Sequence, residues 1–252
     1  MSRIHVVVLA AGRGGRLKVQ RPKVLVPIHG QSLISYVLKA IRDSAVSSRP
    51  PVLVVGFGAD EVRQTLGTEY QYVVQEQQRG TGDAVAASRS LLEPIGGSVV
   101  VLNGDMPLIS FDTIRRLVDV HVTATATVTM ASVTVPNFEG CYARLYDHGR
   151  VCRTSTGSVT GIIECPHTSA AQRRLTELNP SIFCFSAPWL WENLSLLPPR
   201  NTWREYYLSD LVGIACSQGH EVHVVSAPAS EAFGVNVPED LEQVQQFLAN
   251  SR

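Results

Sequence analysis

The first half of the chain repeats one pattern, in which short apolar runs alternate with longer amphipathic segments. The apolar runs have strand length and lie at residues 4–9, 52–55, 72–75 and 98–102. In most of them apolar and polar residues do not alternate, as they would in a strand with one face exposed to solvent. This predicts strands buried on both faces. Helical periodicity occupies residues 33–41, 60–66, 83–92 and 112–120. Strands separated by helices in this way indicate a parallel, doubly wound α/β sheet.

The pattern changes after residue 121. Threonine alternates with alanine, valine and methionine over residues 123–135, which predicts a different kind of strand. Shorter strands are predicted at 142–145, 150–154, 181–185 and 220–226, and helices at 205–216 and 238–248. We therefore expect mixed or antiparallel strands in this half. Because no repeat or low-complexity linker interrupts the chain, we expect one domain, residues 1–252, whose second half builds a smaller lobe onto the first.

Composition narrows the possible partners. The 252 residues carry 22 basic and 22 acidic side chains, so the net charge of zero gives no general attraction for nucleic acid or an anionic membrane. No run reaches the roughly 20 apolar residues of a membrane span, and the N-terminus shows no secretory pattern, so we expect a cytoplasmic protein. Five cysteines without a C-x-x-C pair signal neither a disulfide framework nor a zinc site.

The segment LAAGRGGRLKVQRPK, residues 9–23, combines backbone freedom with positive charge. Its three glycines would allow the backbone to approach a ligand closely, and four basic side chains could pair with phosphate oxygens. The glycines are Gly12, Gly14 and Gly15, and the four candidates among the five basic residues of the segment are Arg13, Arg16, Lys18 and Lys23. The spacing matches neither a dinucleotide-binding fingerprint nor a P-loop. A flexible surface turn remains the alternative, although 15 residues is long for such a connection.

Three more segments at predicted strand or helix ends are candidates for chemistry. NGDMPLI follows the fourth strand and contains Asp105, a carboxylate suited to Mg²⁺, which takes few protein ligands when phosphates supply the rest. FGVN precedes the last helix and ends in Asn236. For Asp105 and Asn236 a helix-capping role is the alternative. QEQQRGTGDA, residues 75–84, places two glycines before a helix, where backbone could contact a base or a phosphate.

Taken in order, these motifs resemble a known family. LAAG-x-G-x-R with Pro-Lys, Q-x-x-Q-x-GTG-x-A, GD-x-PLI, EYYLSD and GVN are similar to the uridylyltransferase domain of bacterial N-acetylglucosamine-1-phosphate uridylyltransferase, within the sugar-phosphate nucleotidyltransferase family. The resemblance covers nearly the whole chain. It implies a Rossmann-like doubly wound mixed sheet of the nucleotide-diphospho-sugar transferase (GT-A-like) type. It also implies a nucleotide-binding half (1–121), an acceptor-binding half (122–236) and a C-terminal helix (237–252).

The resemblance further implies an activity and its residues. The expected reaction is transfer of a uridylyl group from UTP to a sugar 1-phosphate, first of all N-acetylglucosamine 1-phosphate, with Mg²⁺ and in-line attack on the α-phosphate. Catalytic roles would belong to Arg16, Lys23 and Asp105, and metal binding to Asp105 and Asn236. Nucleotide contacts would come from Leu9, Ala10, Ala11, Gly12, Gly14, Gln75, Gly80 and Thr81. Sugar contacts would come from Asn103, Ala143, Glu164, Asn179 and Asn201.

The chain departs from the family pattern mainly on the acceptor side. Gly15 stands where threonine is common, Ala143 replaces a glycine, and Pro180 removes an N–H. Glucosamine, glucose or another hexose 1-phosphate therefore stays open as the acceptor. The alternatives are a nucleotidyltransferase that uses another NTP such as CTP or another acceptor phosphate, and a regulatory protein that binds a nucleotide sugar without catalysis. The sequence leaves the oligomeric state open. Because bifunctional family members continue into a β-helix with acetyltransferase activity, we expect no such activity in these residues.

Overall fold

The computed structural model describes residues 3–200 and 204–250. Within them the chain forms twelve strands and eight α-helices. The strands are β1 (Ile4–Ala10), β2 (Pro27–Ile28), β3 (Gln31–Ser32), β4 (Val52–Val55), β5 (Gln71–Val74), β6 (Ser98–Asn103), β7 (Val128–Thr134), β8 (Gly149–Arg153), β9 (Val159–Ile163), β10 (Glu177–Asn179), β11 (Phe183–Ser186) and β12 (Val222–Ser226). The helices are α1 (Leu33–Ser44), α2 (Ala59–Leu66), α3 (Thr81–Ala86), α4 (Arg89–Leu92), α5 (Phe111–Thr123), α6 (Ala187–Asn193), α7 (Asp210–Ser217) and α8 (Pro238–Asn250).

Ten of the strands form one mixed sheet, in the order β5-β4-β1-β6-β11-β7-β10-β8-β9, with β12 beside β7. The first four strands of this order are parallel, which confirms the prediction for the first half. β11 runs antiparallel to β6 and β7, and β10 runs antiparallel to β7 and β8. The expected change to mixed pairing in the second half is also confirmed.

Helices cover both faces of the sheet, as expected for a doubly wound fold. Along β1, Val6 and Val8 pack into one core with residues of α1, α5 and α8, whereas Val7 packs into a second core with residues of α3, α6 and α7. Because neighbouring residues of a strand point to opposite faces, a continuous apolar run is needed to fill both cores. Among the described residues no helix has the length and apolar character to cross a membrane.

The prediction of a strand at 142–145 is wrong, since this segment lies in the 3-10 helix Gly140–Asp147. The nearest strand along the chain, β8, pairs with β10 on one edge and with β9 on the other, so it offers no free edge. The turn is held instead by the buried side chain of Arg150, which donates to the carbonyl oxygens of Tyr146 and His148.

The helix predicted at 205–216 begins only at Asp210. The residues before it run against the start of α3, where the Leu208 N–H donates to Thr81 Oγ1 at 2.9 Å and the Gly82 N–H donates to the Tyr206 carbonyl oxygen at 2.8 Å. In a helix beginning at residue 205 the Tyr206 carbonyl oxygen would accept an N–H of the next turn, and here it is engaged by Gly82 instead. One helix predicted at 83–92 is likewise split into α3 and α4. The sequence pattern does not predict β9, β10 or α6.

Candidate active site

The loop after β1 turns sharply at Gly14. This residue has φ of 68°, and a Cβ there would lie 2.7 Å from the Cβ of Lys23. Glycine is therefore required both by the left-handed backbone and by the packing of Lys23. Leu17 and Leu25, in the same loop, are buried in the core. The loop is thus anchored against the sheet and holds Lys23 on a fixed backbone, unlike a flexible surface turn.

Four predicted site residues from distant parts of the chain meet beside this loop. Lys23 forms an ion pair with the Asp105 carboxylate and donates a hydrogen bond to Asn236 Oδ1 at 2.7 Å. Arg16 donates to the same amide oxygen at 3.3 Å. The carbonyl oxygen of Asp105 accepts the Val235 N–H at 3.0 Å, which ties the end of β6 to the loop before α8. We name Arg16, Lys23, Asp105 and Asn236 the charged cluster.

Neither Asp105 nor Asn236 caps a helix. At α5 the cap is Ser110, whose Oγ accepts the Thr113 N–H at 3.1 Å. At α8 the buried carboxylate of Asp240 accepts the N–H groups of Asn236 at 2.8 Å and Val237 at 3.0 Å. Hydrogen bonds to a charged acceptor at a helix N-terminus are strong. The capping alternative is therefore wrong for both residues, and Asp240 fixes the backbone from which the Asn236 amide projects.

A cavity of about 280 Å³ opens on one side of the charged cluster, and we name it the nucleotide cavity because the expected nucleotide contacts line it. Its walls include the predicted residues Leu9, Ala11, Gly12, Gln75, Gly80 and Thr81, together with Lys23, Asp105 and Asn103. Asn103 was expected among the sugar contacts, and it lines this cavity and not the acceptor cavity. Gly80 has φ of 91°, and a Cβ there would lie 2.7 Å from the Tyr206 carbonyl oxygen, so the close approach of two backbones requires glycine. Ala10 is buried in the sheet and Gly14 lies under Lys23, and neither lines this cavity.

A second cavity of about 470 Å³ opens on the other side of the cluster, and we name it the acceptor cavity because expected sugar contacts line it. It is lined by five predicted residues: Arg16, Ala143, Glu164, Asn179 and Asn236. A smaller space of about 140 Å³ shares Leu9, Thr81 and Asn103 with the nucleotide cavity, and Glu164 and Ser181 with the acceptor cavity. The three spaces therefore form one cleft along the carboxyl ends of the parallel strands, as expected for ligands of such sheets. Asn201 lies outside the described residues.

Burial and hydrogen bonding order the acceptor wall. The Ser209 hydroxyl donates to Glu164 Oε1 at 2.6 Å, and burial raises the pKa of Glu164 above its ordinary value. The Ser181 N–H donates to Asn179 Oδ1 at 2.9 Å, at a left-handed turn with φ of 59°. His148 donates from Nε2 to the Ala232 carbonyl oxygen, and burial lowers its pKa, which favours the neutral ring. His148 thus acts as a structural tether between the 140–149 segment and the loop before α8.

Several cleft residues are not among the predicted ones. Gln78 and Glu205 line the nucleotide cavity, and Arg144, Asp147 and Asp240 line the acceptor cavity. Asp240 carried a signal in the sequence, because an acidic residue in the first turn after Pro238 is typical of a capped helix. The others lie in segments whose conformation the periodicity does not reveal. A wider depression of about 1370 Å³ lies elsewhere, between the β8–β9 hairpin and β12, and none of the predicted site residues lines it.

Comparison with known proteins places this chain in a family. A model of the MobA-like NTP transferase domain matches residues 6–180. The chain is 35% identical over 249 residues to the bifunctional protein GlmU of Brevibacillus brevis, covering 98% of this chain and 52% of that protein. It is 38% identical over 239 residues to the bifunctional protein GlmU of Corynebacterium efficiens, covering 92% and 47%. The chain spans about half the length of the curated relatives it matches.

Solved structures with the same fold include two proteins of known ligand. UDP-glucose pyrophosphorylase complexed with UDP-glucose aligns over 100% of both chains with a TM-score of 0.77 and 15% identity. CMP:2-keto-3-deoxy-manno-octonic acid synthetase complexed with CTP aligns over 100% of both chains with a TM-score of 0.70 and 17% identity. At such identities these two likenesses show the fold alone, and they confirm the expected fold class. The family match covers most of the chain, and so the chain belongs to the MobA-like NTP transferase domain family and is a nucleotidyltransferase.

Proposed function

We propose that this nucleotidyltransferase transfers a uridylyl group from UTP to a sugar 1-phosphate, with N-acetylglucosamine 1-phosphate as the first choice, and releases pyrophosphate. One observation carries the proposal: the charged cluster lies in the cleft where the nucleotide cavity and the acceptor cavity meet. Two polyanions bound in these cavities would bring their phosphates together at Lys23 and Arg16. That is the arrangement a phosphate-to-phosphate transfer requires.

The chemistry needs charge stabilisation more than proton transfer. The second pKa of a phosphate monoester is about 6, so a sugar 1-phosphate is largely dianionic at neutral pH and attacks without a general base. Bringing it to the α-phosphate of UTP requires cations that offset the repulsion and the charge of the transition state. Lys23 and Arg16 supply two fixed positive charges at that position. No histidine or cysteine is given a role in the step.

The oxygen atoms of the charged cluster fit Mg²⁺. Asp105 and Asn236 both contact the single ammonium group of Lys23, so their oxygens converge on one cation. Among the described residues, no three or more histidine, cysteine, aspartate or glutamate side chains are grouped so that they could hold a metal ion. Mg²⁺ suits such a sparse site because it keeps several waters and takes other ligands from phosphates. Asp105 and Asn236 would hold the ion, and when bound it would neutralise phosphate charge.

The uridine and sugar ends of the cleft carry groups of suitable polarity. Gln75 presents an amide to the nucleotide cavity, next to the backbone of Gly80. Glu164 and Asn179 offer hydrogen-bonding groups for sugar hydroxyls in the acceptor cavity. Ala143 lines that cavity from the 3-10 helix Gly140–Asp147, where its methyl group would face the sugar side. We accordingly propose residues 1–121 as the nucleotide-binding half and 122–236 as the acceptor-binding half of one domain.

The proposal is tested by pyrophosphate release. The chain is incubated with Mg²⁺, each of the four NTPs and a panel of hexose 1-phosphates, including the N-acetylglucosamine, glucosamine and glucose forms. We expect release with UTP and a sugar 1-phosphate, greatest with N-acetylglucosamine 1-phosphate. Release only with CTP would overturn the nucleotide assignment. A preference for another sugar would overturn the acceptor assignment, and no release with any pair would support a silent binding protein.

A further inference from the structure

The side-chain amide of Gln75 is held in one orientation by groups beneath the nucleotide cavity. Gln75 Nε2 donates to the Gly80 carbonyl oxygen at 3.1 Å and to Asp83 Oδ2 at 2.8 Å. The residue is only 6% exposed, although it lines the cavity. An amide nitrogen carries two hydrogens, so both of its donors are engaged by these two acceptors.

The opposite orientation of the amide is excluded by charge. Rotating it by 180° would place the Gln75 oxygen against a carbonyl oxygen and a carboxylate, which accept hydrogen bonds and cannot donate to it. The observed orientation leaves Oε1 as the amide atom available to a ligand. In the part of the chain that the structure describes, no side chain or backbone group donates to that oxygen.

Asp83 is itself held in place. Its other oxygen, Oδ1, accepts a hydrogen bond from Arg79 NH2 at 2.9 Å, and the pair is spaced i,i+4. The guanidinium of Arg79 also lies 5.5 Å from the ring centroid of Tyr206, in the segment packed along α3. The carboxylate therefore cannot turn away from Gln75 without losing an ion pair. Because the fixed carboxylate of Asp83 holds the Gln75 nitrogen, the Gln75 oxygen is left toward the cavity as a hydrogen-bond acceptor.

We propose that Asp83 is a positioning residue that sets the nucleobase preference by holding Gln75 as a hydrogen-bond acceptor toward the base. The inference rests on the proposed function, in that the base lies beside Gln75. Uracil carries an N–H at position 3, which can donate to Gln75 Oε1. Cytosine has a lone pair at position 3, and in the same pose it would face another acceptor. Uracil would gain a hydrogen bond to Gln75, whereas cytosine would meet a repulsion between two acceptors. This difference favours uracil by roughly 10- to 100-fold.

The test compares kcat/KM for UTP with kcat/KM for CTP in variants of Asp83. Asp83→Leu removes the acceptor while Gly80 still binds one amide hydrogen, and we expect the UTP/CTP ratio to fall about 5- to 10-fold. Asp83→Lys places a donor under the amide and favours the rotated Gln75, whose nitrogen would then face the base. We expect a further fall of the ratio or its inversion. Asp83→Glu keeps a carboxylate and should restore most of the preference.

Arg79→Gln is the matched control. It removes the Arg79–Asp83 ion pair but keeps the Asp83 carboxylate as the acceptor for Gln75. The UTP/CTP ratio should therefore change less than about 3-fold. The ratio also cancels any change in the general attraction for triphosphates. A ratio unchanged in both Asp83→Leu and Asp83→Lys would overturn the inference. If the wild-type chain shows no preference for UTP, the proposed function fails instead, and the two failures are distinguishable.

A measurement on the unsubstituted protein covers the case in which the variants do not fold. Two engaged hydrogens on Gln75 Nε2 should both exchange slowly with solvent, as followed by NMR of the assigned side-chain amide. Rapid exchange of either hydrogen in the ligand-free protein would contradict the orientation on which the inference depends.

Discussion

Replacing Lys23 by alanine removes the central cation of the charged cluster. The Lys23 and Asp105 side chains are 12% and 19% exposed, so their charges are largely shielded from water. For two unit charges about 4 Å apart in such a setting, with an effective dielectric constant of about 20, the interaction is roughly 4 kcal/mol. A fixed ammonium close to a transferring phosphate would therefore stabilise the transition state by about 3–4 kcal/mol, in the range found for single preorganised donors.

That energy predicts a fall in turnover of about 100-fold or more for Lys23→Ala. KM for UTP should rise as well, because the Asp105 carboxylate would lose its ammonium partner and repel the phosphates. The assay is pyrophosphate release under saturating sugar 1-phosphate, with folding checked by circular dichroism. The structure supplies a matched lysine, Lys39, which is 62% exposed and pairs with Asp43 on the surface of α1. Lys39→Ala removes the same net charge and should keep near-normal turnover.

Two results would refute this reasoning. Turnover of correctly folded Lys23→Ala within about 3-fold of the unsubstituted chain would mean that its ammonium does not act on the reacting phosphates. An equal fall in Lys39→Ala would mean that the effect comes from net charge and does not depend on the position of the lysine.

Three further predictions follow from the site. Asp105→Asn should lower turnover by about 100-fold and weaken Mg²⁺ binding measured by calorimetry in the absence of substrate; unchanged Mg²⁺ affinity would remove this residue from the proposed metal site. Glu164→Gln should raise the free energy of unfolding near pH 7 but change it little near pH 4. Burial raises the pKa of the native carboxyl, so stability falls as pH rises from the ordinary glutamate value through the raised one, and urea titrations at both pH values test this. Gly14→Ala should destabilise the chain by about 1–3 kcal/mol, because of its positive φ and the contact with Lys23, whereas Gly15→Ala, with open space at its Cβ, should be nearly neutral in thermal unfolding.

The parallel half of the fold could be predicted because its signals are local. The run at 52–55 coincides with β4, and the run at 4–9 differs from β1 by one residue. Such strands are apolar throughout, since both of their faces are buried, and glycine or polar residues bound them. Their order in the sheet depends on contacts between distant residues and cannot be read from periodicity.

The errors lie where distant contacts override local preference. Residues 205–209 have a plausible helical stripe, yet their backbone pairs with residues 79–82. The segment 142–145 alternates like a strand but finds no free edge, and Arg150, a charged residue that sequence analysis would place at the surface, is buried beneath it. Long-range pairing and a buried arginine leave no trace in a single sequence.

Prediction of the cleft was uneven for a similar reason. Motif residues such as Lys23 and Asp105 follow predicted strands, and parallel strands bring their carboxyl ends to one edge, so their proximity could be expected. Asp83 contacts Gln75, and Asp240 binds the backbone N–H groups of Asn236 and Val237. The place of Asp240 in the first turn of the last helix was a signal in the sequence, whereas the contact of Asp83 with Gln75 becomes visible only in the structure.

The junction of β6 with β11 has a consequence for protein engineering. Here the sheet passes from parallel to antiparallel pairing, and Asn103, at the end of β6, borders the nucleotide side of the cleft. The acceptor wall is built largely from turns beyond this junction, at 140–147 and 179–181. Randomising those turns would alter one wall while the hydrogen-bonded register of β5, β4, β1 and β6 stays fixed. A library of variants confined to these turns would therefore test new acceptors while the proposed nucleotide-binding residues stay unchanged.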